Sequence, residues 1–542
     1  MARGQWTSRE ARGHRSTIRG RKIGGNTGKT AGDSESPAIG VTQHRATTMD
    51  TLRQMAFLVA DEAFAPVSSS QRRRGGTAVR RQKHIGQEIS AQLHMAKALM
   101  ALALLCAGLS APGTSAYAAS FDARHQIPGD GEFSAASINP VLQWNSILLV
   151  IVRTPGAQPA TIHPTRSFAI MHAAIYDAVN AIDRTHTPYL VELSGVPGWA
   201  SQEVATAAAA HSVLVALYPQ LQALLELQLE ESLAEIPDGP HKRMGIHVGQ
   251  IVAERILALR SNDGSNAQPL PFVPGTDPGD YQLTPPNFPP PVFTHWPDVT
   301  PFTLVRADQF RPGPPPPLTS DTYTDAFNEV KAVGFINSTS RSGEQTEIGL
   351  FWGGAIQNYW NEIAQTAAAA QHLTTAQSAR LFAFLNLTIA DSVIAFYDAK
   401  YTYRFWRPVT AIRAADSDED PQTVADPNWL PLQVNTPADP SYPGAHAVIS
   451  AAGAAVLDSF FGSDEFSFIV TSEVRPDVDR IFTSFTAAAE EATLSRIFAG
   501  VHFRSDLTIG QDLGRNIANF VEENFLLPRH VSGRRSDSER HG

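Results

Sequence analysis

The stretch RSFAIMHAAIYDAVNAI, residues 166–182, decides the fold class. Its apolar residues recur at three- and four-residue spacing, the period of a helix with one buried stripe. Alanines between them add helix propensity without bulk. The same Ala-rich signature predicts one or two helices over 203–236, interrupted near Pro219, and another over 241–259. Beyond a gap it predicts helices over 321–333, 342–366, 376–399, 446–461, 476–494 and 504–523. Ser342 caps its helix, with Glu344 and Glu347 in the first turns. The 376–399 helix continues or bends into 400–414. Strand signals are few and short. The class is therefore all-α, a helical bundle of two packed halves with long Pro-rich loops. The gap, 266–317, holds too many prolines for a helix or a central strand and reads as a long ordered loop.

The chain has 542 residues, 18% of them charged and 43% hydrophobic, with a net charge of -10. That charge divides unevenly: residues 1–94 carry about +9 and the rest about -19. An acidic body argues against nucleic acid as a partner. The basic head, 1–94, has the composition of a disordered extension and reads as an over-extended start. At Met95 a charged n-region, an apolar run from Ala98 to Ala111 and the small-x-small triplet Ala116-Tyr117-Ala118 spell a signal peptide over 95–118. The expected location is secreted or periplasmic. The apolar run is shorter than the roughly 20 residues of a membrane-spanning helix. No later segment is expected to span, so no stable membrane anchor remains after cleavage. Cys106, the single cysteine, lies inside the signal, which leaves the mature chain without thiols or disulfides. The expected order is a head at 1–94, a signal at 95–118, a first helical half with the Pro-rich loop at 119–320, a second half at 321–528 and a disordered tail at 529–542. Nothing in the sequence sets the oligomeric state, and a homo-oligomer is compatible with it.

Chemistry concentrates in the second half. Lys400 and Arg407, with Pro408 behind, are seven residues apart. On one helix that is close to two turns, which places both cations on one face about 10 Å apart. Arg407 offers a planar fork of donors and Lys400 a point charge. Pro408 fits best at a helix break, with Arg407 at an end. The aromatic flanks Phe396, Tyr397, Tyr401, Tyr403, Phe405 and Trp406 point to a buried segment, where cations need a counter-charge. Pro443-Gly444-Ala445-His446 leads straight into an apolar helix, whose first N–H groups suit an anion. His446 sits at the same mouth, placed to exchange a proton. Ser495-Arg496 precede His502 and Asp506, and Gly500 offers a break that turns both groups inward. His502 and Asp506 are one turn apart, so the carboxylate can fix the imidazole tautomer and free the other nitrogen as a nucleophile or metal ligand. The three segments can together hold a tetrahedral oxyanion. Each has an ordinary structural reading as well: solvated charge, a helix cap, a surface ion pair. Other histidines lack ligand spacing. His172 and Asp177, five apart, read as core, as do Trp352 and Trp360.

In this order and spacing the segments resemble the superfamily of vanadium-dependent haloperoxidases and type 2 phosphatidic acid phosphatases, whose pattern is K-x6-RP, P-S-G-H and SR-x5-H-x3-D. The first and last segments match letter for letter. MHAAIYDAVNAI at 171–182 and EQTEIGLFW at 344–352 also look like helices of secreted bacterial haloperoxidase-like proteins. The resemblance implies that Lys400, Arg407 and Arg496, with the backbone at Gly444 and Ala445, bind the oxygens of vanadate, or of phosphate in the same site. It implies that His502 is the axial vanadium ligand oriented by Asp506, and that His446 is the acid–base group. Hydrogen peroxide, halide and a small organic acceptor would be the reactants. Three positions depart from the pattern, the first being Ala445, which stands where glycine is usual. Gly444 replaces a serine hydroxyl, and Asp439, seven before His446, stands where the family commonly has an aromatic residue or histidine beside the halide. An ionised carboxylate there is expected to repel halide. The same residues would serve phosphate-ester hydrolysis through a phosphohistidine, the rival enzymatic reading. A non-catalytic oxyanion-binding protein is the third.

Overall fold

Proline opens four of the α-helices in residues 139–529, the part of the chain described by a computed structural model. The basic head, the signal peptide, residues 119–138 and the tail beyond 529 lie outside the described residues. The first half holds α1 (Pro140–Arg153), α2 (Pro164–Asp183), α3 (Gln202–Leu217), α4 (Gln222–Ala234) and α5 (Pro240–Arg260). The Pro-rich passage has no helix beyond one 3-10 turn, Trp296–Asp298. Then come α6 (Asp321–Val333), α7 (Gly343–Phe351), α8 (Ile356–Ala370), α9 (Thr375–Tyr403), α10 (Pro408–Arg413) and α11 (Ala445–Phe461). A hairpin of β1 (Glu465–Thr471) and β2 (Asp479–Ser484) precedes α12 (Phe485–Phe498) and α13 (Arg504–Asn524).

Local chemistry sets the helix ends. Ser342 opens α7 and Thr374 opens α9 with capping boxes closed by Gln345 and Gln377. α9 is long and apolar enough to cross a membrane by length and composition, contrary to the sequence expectation, yet almost all of its apolar window is buried among other helices. It is the axial core helix of the bundle. α1, PVLQWNSILLVIVR, was not expected from the sequence: its unbroken apolar run over 147–152 hides the helical period, and nine of its fourteen residues are buried.

Three expected elements differ. The 342–366 helix divides into α7 and α8 at Trp352–Ala355, where Gly353 and Gly354 interrupt it. The 376–414 run breaks after Tyr403, with Arg404 in the left-handed region. Pro408 takes the first position of α10, which makes Arg407 its N-cap. Residues 476–494 are not one helix. Phe468 pairs with Phe482 across the antiparallel hairpin, and both are buried, so α12 starts only at Phe485. Alternation over EFSFIVT is the strand signal that the Ala-rich neighbour masked.

The two halves repeat one another in detail. In the first, Gly245 and Gly249 of α5 lie against α3; a Cβ on them would sit 2.7 Å from the Ser201 carbonyl oxygen and 2.5 Å from that of Ala205. In the second, Gly510 and Gly514 of α13 lie against α11, with the corresponding approaches 3.0 Å to Gly444 and 2.1 Å to Val448. Ser201 and Gly444 are both helix N-caps. Asp177 of α2 accepts from the backbone N–H groups of Tyr189, Leu190 and Val191 at 2.6, 2.9 and 2.8 Å. Asp391 of α9 accepts from those of Phe302, Thr303 and Leu304 at 2.6, 2.6 and 2.9 Å. Each buried carboxylate thus pins the loop that wraps its half. Asp391 ties the Pro-rich passage to α9. That passage then pairs with the segment after α9: Tyr281 N–H donates to Arg404 O (2.6 Å) and Trp406 N–H to Gly279 O (2.9 Å). His172 and Asp177 are core, as expected. His172 stacks on Phe382 and bonds Asn145.

Candidate active site

Four segments meet at one buried cluster: the end of α9, the N-cap of α10, the start of α11 and the turn between α12 and α13. Lys400, Arg407, Arg496, His502 and Asp506 are each no more than 3% exposed. Lys400 and Arg407 do not share a helix face. Lys400 projects from the last turn of α9 and Arg407 from the extended residue after the break. The break brings Arg407 to His502: its Nη1 lies 3.0 Å from His502 Nε2 and donates to Val501 O at 2.8 Å. Gly500, at φ 78°, makes the turn that points Arg496 and His502 inward together.

The proton on His502 can be placed from its partners. A guanidinium only donates, so Nε2 carries the lone pair and Nδ1 the hydrogen. Nδ1 faces Asp506 Oδ2 at 3.1 Å. Ser441, which sequence reasoning missed, donates its hydroxyl to the same oxygen at 2.6 Å and lies 3.3 Å from Nδ1. Asp506 also accepts from Phe503 N–H at 3.1 Å, capping α13. Its Oδ1 is buried without a hydrogen-bond partner. Burial pushes Asp506 up to about 6, against the pull of Ser441, Phe503 and the two nearer cations. Burial, then the charges of Arg407, Lys400 and Arg496, hold the His502 imidazole well below its ordinary value, so it is neutral with its lone pair at Nε2, facing Arg407.

Gly444 caps α11 and donates its N–H to Asp506 O at 3.0 Å. A Cβ there would meet Leu507 Cδ2 at 2.7 Å, so the serine of the family pattern does not fit beside Leu507 as packed. Ala445 opens the helix and is half-buried beside His446. The His446 Nε2 atom bonds Trp352 O at 3.0 Å, so the break between α7 and α8 serves as its anchor. Burial, then Arg496, keeps His446 well below the usual imidazole value and neutral.

Asp439 does not face a free halide site as a bare charge. Its carboxylate pairs with Arg407 and lies 3.6 Å from Lys400 Nζ. Lys400 also bonds Pro440 O and Ser441 O. Burial lowers Lys400 to about 8, with Asp439 opposing the fall. Arg496 has no carboxylate partner among the described residues. It bonds Ser495 Oγ, Gln433 Oε1 (3.1 Å) and Gly349 O (3.3 Å). Burial lowers it to about 10. Three cations against two carboxylates, with both histidines neutral, leave the cluster short of negative charge. A buried excess of that kind calls for an anion. Three fixed donors, a helix N-terminus and one neutral imidazole nitrogen suit a tetrahedral oxyanion that accepts one nitrogen ligand, so the residues fit vanadate.

Acidification is expected to destabilise the fold. Burial depresses His163 to about 4 and His172 to about 3, and holds His446 and His502 low as well. Groups depressed in the folded state contribute stability that is complete above their unfolded value, about 6.5, and is lost as pH falls below it. Asp177 and Asp506, both raised to about 6, act in the opposite sense. Asp391 and Asp458 are raised too and His186 and His211 lowered, so four carboxyl groups stand against six imidazoles, and the carboxyl groups regain stability as pH falls through their raised folded values. The melting temperature in anion-free buffer should be lower at pH 5 than at pH 7.5; an equal or higher value at pH 5 would contradict the assignment of neutral histidines.

Known proteins resemble this chain in sequence and fold. Residues 380–527 match a family model described as the VCPO second helical-bundle domain. The vanadium chloroperoxidase of Curvularia inaequalis is 26% identical over 506 residues, which cover 71% of this chain and 82% of that protein. The crystal structure described as the first bacterial vanadium-dependent iodoperoxidase aligns with a TM-score of 0.60 at 25% identity, covering 72% of this chain and 95% of that one. A holo bacterial vanadium-dependent chloroperoxidase, at 16% identity and a TM-score of 0.57, shares the fold over 72% of this chain.

Proposed function

Because the chain belongs to the vanadium haloperoxidase family, we propose that it oxidises halide with hydrogen peroxide to hypohalous acid, which halogenates small organic acceptors. The observation that supports this most is the buried, positively unbalanced clasp around one neutral imidazole nitrogen. Vanadate held there would supply Lewis-acid activation of peroxide without a change of oxidation state. The chain's own residues do the rest. His502 offers Nε2 as the ligand, with Asp506 and Ser441 holding its hydrogen on Nδ1. Arg407, Arg496 and Lys400 neutralise the oxygens, and the N-terminus of α11 adds its N–H groups. His446, neutral and hydrogen-bonded to Trp352 O, is placed to take and return the peroxide proton. The pattern at 95–118 supports export of the protein to the periplasm or beyond.

The full chain incubated with orthovanadate is expected to brominate a dye with hydrogen peroxide at mildly acidic pH. Hydrolysis of a nitrophenyl phosphate ester with no turnover of bromide, iodide or chloride would replace this reading by the phosphohistidine one. Inertness in both assays would leave an oxyanion-binding protein.

A further inference from the structure

The three cations of the clasp are not equally free, and the difference identifies Asp439. Lys400 has three N–H donors, two of them engaged by Pro440 O and Ser441 O, and its charge is paired with the Asp439 carboxylate 3.6 Å away. Arg407 has five, of which four are engaged: Nε by Asp439 O, Nη1 by Val501 O and His502 Nε2, and Nη2 by Asp439 Oδ1. An oxyanion entering beside His502 therefore finds one donor left on each residue, and both charges already paired, while the Asp439 side chain is in place. Among these partners the carbonyls belong to a backbone that is itself hydrogen-bonded; Ser441, for example, is tied to Phe405 O through its N–H at 2.9 Å. The Asp439 carboxylate is a side chain and can leave by rotation.

We propose that Asp439 is a resident internal anion that occupies the place of the oxyanion on Lys400 and Arg407, and that oxyanion binding proceeds by exchange with it. Its carboxylate is 8% exposed and carries the charge that the empty clasp requires. Tyr281 is fully buried and its hydroxyl has no hydrogen-bond partner, while its backbone N–H is tied to Arg404 O, three residues before Arg407. Its hydroxyl is proposed as the donor to the released carboxylate. Arg496, which Asp439 does not engage, would make the first contact with the entering anion. The idea rests on the oxyanion-site reading above and adds to it that this chain limits its own anion affinity.

The test uses the full chain and inorganic phosphate, followed by calorimetry and thermal denaturation. Asp439→Asn keeps the size and removes the charge. It should bind phosphate at least tenfold more tightly than the wild type, while Asp439→Glu should not. In anion-free buffer Asp439→Asn should melt below the wild type, and saturating phosphate should close that gap, since a ligand stabilises the folded state by an amount that grows with the logarithm of its concentration over Kd. A folded Asp439→Asn that binds phosphate no better than the wild type overturns the exchange while leaving the haloperoxidase reading intact, provided His502→Ala loses binding. Failure of both the wild type and Asp439→Asn to bind phosphate or orthovanadate overturns both. Should Asp439→Asn not fold, a phosphate-soaked crystal of the wild type decides: the carboxylate must have left Arg407, and a carboxylate still paired with both cations beside bound phosphate overturns the proposal.

Discussion

His502→Ala is expected to abolish orthovanadate binding and halide turnover, lowering affinity by more than about a hundredfold. The reason is positional. Nε2 is the neutral nitrogen in the clasp whose lone pair faces the cations, and Arg407 already donates to it at 3.0 Å. Loss of groups that merely orient a metal ligand costs roughly 10–100-fold in affinity, so loss of the ligand itself should cost more. Ser441→Ala is the graded companion. It keeps His502 and Asp506 but removes the hydroxyl that holds Asp506 Oδ2, so it should weaken binding without eliminating it. Calorimetric titration with orthovanadate reads both. Wild-type affinity in a folded His502→Ala protein would remove His502 from the site.

Gly514→Ala should be among the most disruptive single-methyl changes available. In an exposed helix such a change stabilises by about 1 kcal/mol. Here the new Cβ would lie 2.1 Å from Val448 O and 3.0 Å from Ala452 N, both backbone atoms that cannot rotate aside. α13 and α11 must separate, and overpacking of this kind costs about 1–3 kcal/mol. The same two helices deliver Asp506 and the Gly444 cap, joined by the Gly444 N–H bond to Asp506 O at 3.0 Å. Gly514→Ala should therefore lower the melting temperature and weaken phosphate binding together. Gly249→Ala makes the equivalent clash with Ala205 O in the first half. It should lower the melting temperature and leave phosphate affinity near that of the wild type. A Gly514→Ala protein as stable as the wild type would show that the close approach of α11 and α13 is not required.

Local signals carried the class and most helix positions. α6 begins and ends where the sequence places it, and Ser342, Pro408 and Gly500 mark the boundaries expected of a cap, a helix start and a break. These are short-range effects of backbone geometry, so neighbours in sequence suffice to read them. The hairpin and α1 were not legible that way. The hairpin depends on a cross-strand partner, Phe482, fourteen residues from Phe468, and the unbroken apolar run of α1 hides its helical period.

For the site, residue types and spacing determined the membership: three cations, two histidines and one carboxylate in a fixed order. The tertiary structure decided what those groups do to one another. It separated Lys400 from Arg407 by a helix break, supplied Ser441 and Trp352 O as partners, and turned Asp439 from a presumed neighbour of halide into the counter-charge of the clasp. Helix propensity and capping act over a few residues and are written in the chain. Charge pairing acts across a few ångströms of space, and which charges share that space is known only once α9, α11, α12 and α13 have packed.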